Sequence, residues 1–290
     1  RAPRGFELAG VTAGIKESGR SDLGLIYSPH PLAWAFVGTT NLVKAPCVSR
    51  NRARFATGTP VRAVVVNSGN ANCANGERGI WDNEDLAGAA AATLALDRVQ
   101  DVLTASTGVI GVPLPVDVLK AAMPRAAHDL TGDTAAFADA ILTTDTVAKE
   151  AAATLSSGAR VVGVAKGSGM IHPNMATLLA FVMTDADVSQ ELLREMWPRV
   201  IDRTFNQVSV DGDTSTNDMA IVLSSQRVPA DAAELEAALE EVCGKLARKV
   251  ARDGEGATKL ITVRVTGGRN DAEARAAARA VAGSMLVKAA

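Results

Sequence analysis

Aromatic side chains are scarce in this chain, at 3% of its 290 residues, so its core has to rest on Ala, Val, Leu and Ile. Cysteine is scarce too. Cys47, Cys73 and Cys243 are odd in number, far apart and form no C-x-x-C pair. That argues against a disulfide framework or a structural zinc site and for three free thiols in a reducing cytoplasm. An excess of one charge is lacking: the net charge is -2, with no basic run interleaved with aromatics, so nucleic acid is not an expected partner. No apolar stretch approaches the roughly 20 residues of a membrane span, and Arg1 to Phe6 lacks the apolar core of a signal peptide. There is no starting Met, so the first residues of the gene product are expected to be absent. Familiar motifs are missing as well. No P-loop and no G-x-S-x-G elbow occurs. Gly167-Ser168-Gly169 fails as a dinucleotide fingerprint because His172 stands where a third Gly is needed. His30, His128 and His172 have no H-E-x-x-H spacing, and Asp211-Gly212-Asp213-Thr214 lacks the later ligands of a calcium loop.

What is present is an ordinary globular composition, 47% hydrophobic and 21% charged, long enough for one large domain or two smaller ones. Residues 61–67 read as a buried strand ending in the turn Asn67-Ser68-Gly69-Asn70. Residues 83–97 read as an Ala-rich helix capped by Asn83. A strand is expected over 101–105, running into Ser106-Thr107-Gly108, and a helix over 133–142. Residues 159–165 read as a strand entering the glycine-rich Lys166-Gly167-Ser168-Gly169. Thr177 to Met183 is a continuous apolar run whose length suits a strand buried on both faces. Asp187 with Gln190 suggests a capping box for a helix to about residue 205. Residues 232–251 read as an amphipathic helix, 260–266 as a half-buried strand, and 271–288 as a helix. Interleaved strands and helices mean an α/β or α+β domain. Two sheets between helix layers would fit, as would a single wound sheet.

The stretch with chemical content is Lys166-Gly167-Ser168-Gly169-Met170-Ile171-His172-Pro173-Asn174-Met175-Ala176-Thr177. A polar, flexible loop runs straight into an apolar strand with a Thr at the junction. Attack of that hydroxyl on the preceding carbonyl gives an N-to-O acyl shift, and hydrolysis of the ester frees a Thr α-amine. An α-amine has a reference pKa of about 7.7–8.0, so it can act near neutrality as the base for its own hydroxyl. On the residues alone, though, a Thr at the start of a strand is usually an ordinary Thr.

The segment KGSGMIHPNMATLLAF closely resembles the self-processing site of the ornithine acetyltransferase family, the bifunctional glutamate N-acetyltransferases of arginine biosynthesis. Further segments match in the same order: Val66 to Asn72, Ser106 to Gly111, Thr143 to Thr146, Asp211 to Asp218 and Asp253 to Lys259. The resemblance runs from about residue 5 to the final residues. It implies an α-β-β-α sandwich related to N-terminal-nucleophile hydrolases, cut between Ala176 and Thr177. Residues 1–176 would form one chain carrying the oxyanion hole, and 177–290 a second chain opening on the nucleophile Thr177. Thr107 and Gly108 match the pair that stabilises the oxyanion. Thr143 (with Thr144 as its neighbouring alternative), Lys166, Thr177 and Glu255 match substrate-binding residues. His172 reads as a loop residue, since the α-amine makes a His base unnecessary.

The implied reaction is ping-pong. The acetyl group passes from N-acetylornithine to Thr177 and then to glutamate, with acetyl-CoA as a further donor in bifunctional members. No metal or organic redox cofactor is needed. The two fragments would stay associated, commonly as a heterotetramer with two copies of each. Family members normally continue beyond the point matching Ala290 with a portion that supplies an Asn and a Thr or Ser to the substrate site, so the chain is expected to be incomplete. Two other readings stand beside this one: an aminopeptidase or amidase of the same fold with water as acceptor, and an uncleaved homologue without catalysis.

Overall fold

A computed structural model describes residues 1–172 and 178–290. Two sheets are joined through one long strand. The strands are β1 (Glu7–Val11), β2 (Leu23–Gly38), β3 (Val61–Asn70), β4 (Val102–Val109), β5 (Lys149–Thr154), β6 (Arg160–Lys166), β7 (Leu179–Asp187) and β8 (Met219–Pro229). The first half of β2 pairs with β1 and β3, and its second half, Ala33 to Gly38, pairs with β8. Its register against β3 breaks between Tyr27 and Leu32, across Ser28-Pro29-His30-Pro31. Two prolines there remove two ladder donors, which lets the strand leave one sheet and enter the other. The order is β4-β3-β2-β8-β7-β6-β5, with β1 beside β2. Only β3–β4 and β7–β8 are parallel.

Each parallel pair is bridged by a helix. These are α2 (Gly76–Thr93) between β3 and β4, and α5 (Gln190–Arg203) between β7 and β8. Around them lie α1 (Pro46–Thr57), α3 (Val116–His128), α4 (Ala135–Ala140), α6 (Ala232–Arg252), α7 (Asp271–Ala282) and α8 (Met285–Ala289). In α6, Asp231 caps the first turn by accepting the Glu234 N–H. Its apolar residues Leu235, Leu239, Val242, Leu246 and Val250 recur at helical spacing and are all buried.

The core has three layers of contact, which makes the fold an α-β-β-α sandwich. Leu86 and Ala90 of α2 and Leu119 and Met123 of α3 pack on Leu25 and Val65 of the first sheet. Trp197 of α5 and Leu239 of α6 pack on Val182 and Val222 of the second. Between the sheets lie Ile26, Trp34, Val64, Val66, Phe181 and Ile221. Strand β7 feeds both sides: Ala180 and Val182 face the helices, while Leu179, Phe181 and Met183 face the other sheet. Its apolar run is therefore buried on both faces, as expected. Cys47, Cys73 and Cys243 are buried free thiols, and burial pushes the Cys47 thiol up to about 12. Among the described residues, no helix is long and apolar enough to cross a membrane.

Several local expectations change. Asn67 to Asn70 and Ser106 to Gly108 are not turns: β3 and β4 run through them as a parallel pair. Helix α2 begins at Gly76, and Asn83 is buried within it rather than capping it. Its first turns carry the exposed Ile80 and Trp81, which hide the apolar stripe until Leu86. Ser189, not Asp187, caps α5. The Gln190 amide is spent elsewhere, accepting from the Trp34 N–H and donating to the Gly58 carbonyl. Residues 260–266 form no strand. A strand needs a pairing edge and a face to bury, and here only Val263 and Val265 are even half-buried. The last helix is broken at Gly283-Ser284, where Ser284 caps α8 by accepting the Val287 N–H.

Candidate active site

The two sheets meet at one end in a cavity of about 560 Å³. Thr107 and Gly108 at the end of β4, Thr143 and Thr144 after α4, Lys166 at the end of β6, and Glu255 after α6 all line it. Five of the residues singled out in the sequence are thereby brought together: Thr107, Gly108, Thr143, Lys166 and Glu255. The expected cleavage pair, Ala176 and Thr177, lies outside the described residues. His172 is half-buried, with its Nδ1 3.3 Å from Ser209 Oγ.

The β3–β4 end is built for close backbone approach. Gly69 and Gly108 are register partners, with φ of +97° and +135°. A Cβ on Gly108 would lie 2.3 Å from the Gly69 carbonyl carbon. Only glycine fits there, and its backbone stays bare towards the cavity. Next to it Thr107 is 5% exposed, and its Oγ1 accepts a 3.2 Å hydrogen bond from Lys166 Nζ. With its acceptor side engaged by an ammonium, the Thr107 hydroxyl keeps its proton to donate.

Lys166 is buried and lies 3.8 Å from Asp145. Burial lowers its pKa, and Asp145 opposes that shift. Asp145 is the hub of a wider network. Its carboxylate accepts from Lys149 Nζ at 2.6 Å, from the Gly167 N–H at 2.7 Å and from the Thr143 N–H at 3.2 Å. Lys149, fully buried, also pairs with Asp253 at 2.6 Å. Asp253 in turn accepts the Thr146 N–H and its hydroxyl, while its carbonyl takes the Ser168 hydroxyl. The Glu255 N–H then bonds the Ser168 carbonyl, and its carboxyl lies where a side chain on Gly169 would be. Three separate loops, 143–146, 166–169 and 253–255, are thus fastened to one another through Asp145, Lys149 and Asp253.

Two further supports were not singled out in the sequence. Asn217 donates to the carbonyls of Ala71 and Ser106, bracing the β3 and β4 ends. Asp218 Oδ1 accepts the Leu178 N–H at 3.0 Å, directly after the expected nucleophile, while its Oδ2 has no partner among the described residues. Burial holds the Asp218 carboxyl well above the usual carboxylate range. Both lie in the Asp211–Asp218 motif, which was visible as a pattern but carried no role. Lys16 and Arg20 also line the cavity, and no sequence motif marked them. Their loop is organised by Asp22, whose carboxylate accepts the N–H groups of Ala13, Gly14, Ile15 and Lys16 at 2.6–3.1 Å. Burial lowers the Lys16 amine to about 8, although Asp22 opposes the shift.

Fold and cleft together define an α-β-β-α sandwich protein with a charged, backbone-lined cleft where its two sheets meet. Residues 7–290 match the family model described as the ArgJ family, and the chain belongs to that family. It is 57% identical to the arginine biosynthesis bifunctional protein ArgJ of Thermus thermophilus, across all of this chain and 75% of that one. Among solved structures it resembles ornithine acetyltransferase complexed with ornithine from Mycobacterium tuberculosis. That match has a TM-score of 0.57 at 38% identity and covers 61% of this chain and 94% of that chain. A β-aminopeptidase from Burkholderia sp. superposes with a TM-score of 0.53 over 87% of this chain and 85% of that chain. At 12% identity that likeness is one of fold alone.

Proposed function

We propose that this chain is a glutamate N-acetyltransferase that cleaves itself between Ala176 and Thr177 and carries acetyl groups as an ester on Thr177. The observation that carries the reading is the cluster of Thr107, Gly108 and Lys166 in the same cavity as Glu255, beside the chain position where β7 begins. In the first half-reaction the Thr177 α-amine takes the proton from its own hydroxyl, and Oγ1 attacks the acetyl carbonyl of N-acetylornithine. The Thr107 hydroxyl and the Gly108 N–H serve as donors to the oxyanion. The C–N bond then breaks, the proton passes to the leaving α-amine, and ornithine departs. In the second half-reaction the glutamate α-amine attacks the acetyl ester, Thr177 is released with its proton restored, and N-acetylglutamate leaves. Acetyl-CoA, as a second donor, would form the same ester and release its thiol. Lys166 and Glu255 suit the carboxylate and ammonium groups shared by these amino acids.

The fold is compatible with a cut at this position. Strand β6 before it pairs with β7 after it, and β2 pairs with β8, so two fragments would share every core layer. The matched Mycobacterium chain also supports the reading, since the 61% of this chain that it covers is the share a fragment ending at Ala176 would take. The working assembly is two copies of each fragment, in a cytoplasm reducing enough for three free thiols. Intact-mass measurement tests the central claim. We expect two fragments, the second beginning at Thr177, and a single chain from Thr177→Ala. Continued cleavage of that variant would refute the assignment. Product formation from N-acetylornithine should require glutamate, and turnover without it would instead identify a hydrolase.

A further inference from the structure

Resting on that reading, one cleft has to accept two amino acids in turn whose side chains carry opposite charges. Ornithine presents an ammonium and glutamate a carboxylate. Both also bear an α-carboxylate and an α-nitrogen, so groups that recognise the common part cannot distinguish them. A cleft lined by Glu255 and Asp213 alone would favour the ammonium and repel the second carboxylate of glutamate. Lys166 is already committed, being buried, bonded to Thr107 and close to Asp145.

The remaining cations of the cleft are Lys16 and Arg20. Neither forms an ion pair with a carboxylate among the described residues. Lys16 Nζ donates to the Ser21 carbonyl at 2.7 Å, which leaves two of its three protons unassigned. The nearby Asp22 carboxylate does not neutralise it by contact, because its oxygens are occupied by four backbone N–H groups. Those same bonds make the loop rigid. Lys16 also packs on Gly69, where an added Cβ would meet its Cγ at 3.1 Å, and Gly69 is the register partner of Gly108. The ammonium is therefore placed at a fixed offset from the oxyanion donors, on the first-sheet side of the cleft. Glu255 stands on the other side, over Gly169 beyond β6 of the second sheet.

We infer that Lys16, with Arg20 beside it at the cleft mouth, binds the side-chain carboxylate of the acceptor and so determines the preference for glutamate. The acetyl donor, whose side chain is cationic, makes no such contact.

The test compares the two half-reactions in the purified enzyme. Acetyl-enzyme is formed with N-acetylornithine, followed by intact mass, and then chased with either glutamate or its uncharged isostere glutamine. In the unsubstituted protein glutamate should be the better acceptor. In Lys16→Met the glutamate-to-glutamine ratio of kcat/KM should fall about 10- to 100-fold, the worth of one charged hydrogen bond. The exposed Arg20→Gln should lower the same ratio by a smaller factor, and its exposure makes misfolding an unlikely source of the change. An unchanged ratio in both variants overturns the inference. So does an equal loss in acetyl-enzyme formation and in the glutamate chase, because that marks a general defect and not acceptor recognition. If the unsubstituted protein forms no acetyl-enzyme at all, the acetyl-transfer reading itself falls, an outcome visible before any variant is compared.

Discussion

Gly108 combines a left-handed φ of +135° with contact so close that an added Cβ would sit 2.4 Å from the Asn70 nitrogen. Both features act against any side chain, and backbone atoms cannot rotate out of the way. Gly108→Ala is therefore expected to displace the end of β4 and with it the Gly108 N–H. One oxyanion donor is typically worth about 2.7–4 kcal/mol, so acetyl-enzyme formation should slow by at least about 100-fold. Rapid-quench mass spectrometry of the ester measures this. Full-rate esterification in the variant would remove Gly108 from the reaction. Thr107 depends on a neighbour in a different way, since its hydroxyl is oriented by an ammonium that reaches it from another strand.

At the scale of elements, the notable link is Lys149, the first residue of β5. It is fully buried between Asp145 and Asp253 and joins loops that come from three parts of the chain. Burial works against ionisation at both carboxyls. Lys166 and Lys149 outweigh it at Asp145, and Lys149 with Thr146 does so at Asp253, so both stay below the usual carboxylate range. A carboxyl lowered on folding stabilises the protein fully above its unfolded value, about pH 4, and that contribution is lost as pH falls through the folded value. The thermal midpoint should accordingly drop on acidification below about pH 4. Lys149→Met leaves two acidic groups without their cation and should cost about 3–5 kcal/mol near neutrality, while flattening the acid dependence. Thermal melts of both proteins from pH 3 to 7 check this, and parallel curves would contradict it.

On the scale of the whole molecule, the two sheets hold together through an apolar layer with few rings to spare. Phe181 of β7 meets Phe137 of α4 edge to face, with centroids 5.4 Å apart. With aromatics at 3% of the chain, little nearby can expand to refill that volume. Phe181→Ala should destabilise the protein by about 3–5 kcal/mol, read from urea unfolding. A change below about 1 kcal/mol would show that the layer collapses around the gap. Because β7 would begin the second fragment, this same layer is what keeps the two fragments associated after a cut.

The sequence by itself determined what short-range chemistry can write. The period of α6, the two-faced apolar run of β7 and the order of the polar motifs were legible because each is set by neighbours a few residues apart. Terminal details were less legible. Asn67 to Asn70 and Ser106 to Gly108 have turn composition, yet parallel pairing of β3 with β4 keeps them extended. Residues 260–266 alternate like a strand, yet no partner edge meets them. Tertiary structure alone decided the site. Lys16 reaches the cleft because Asp22 folds its loop, and Lys149 fastens Asp145 to Asp253, a residue 104 positions away. Such contacts leave no periodic trace in a sequence, since what brings them together is the closing of two sheets over a shared core.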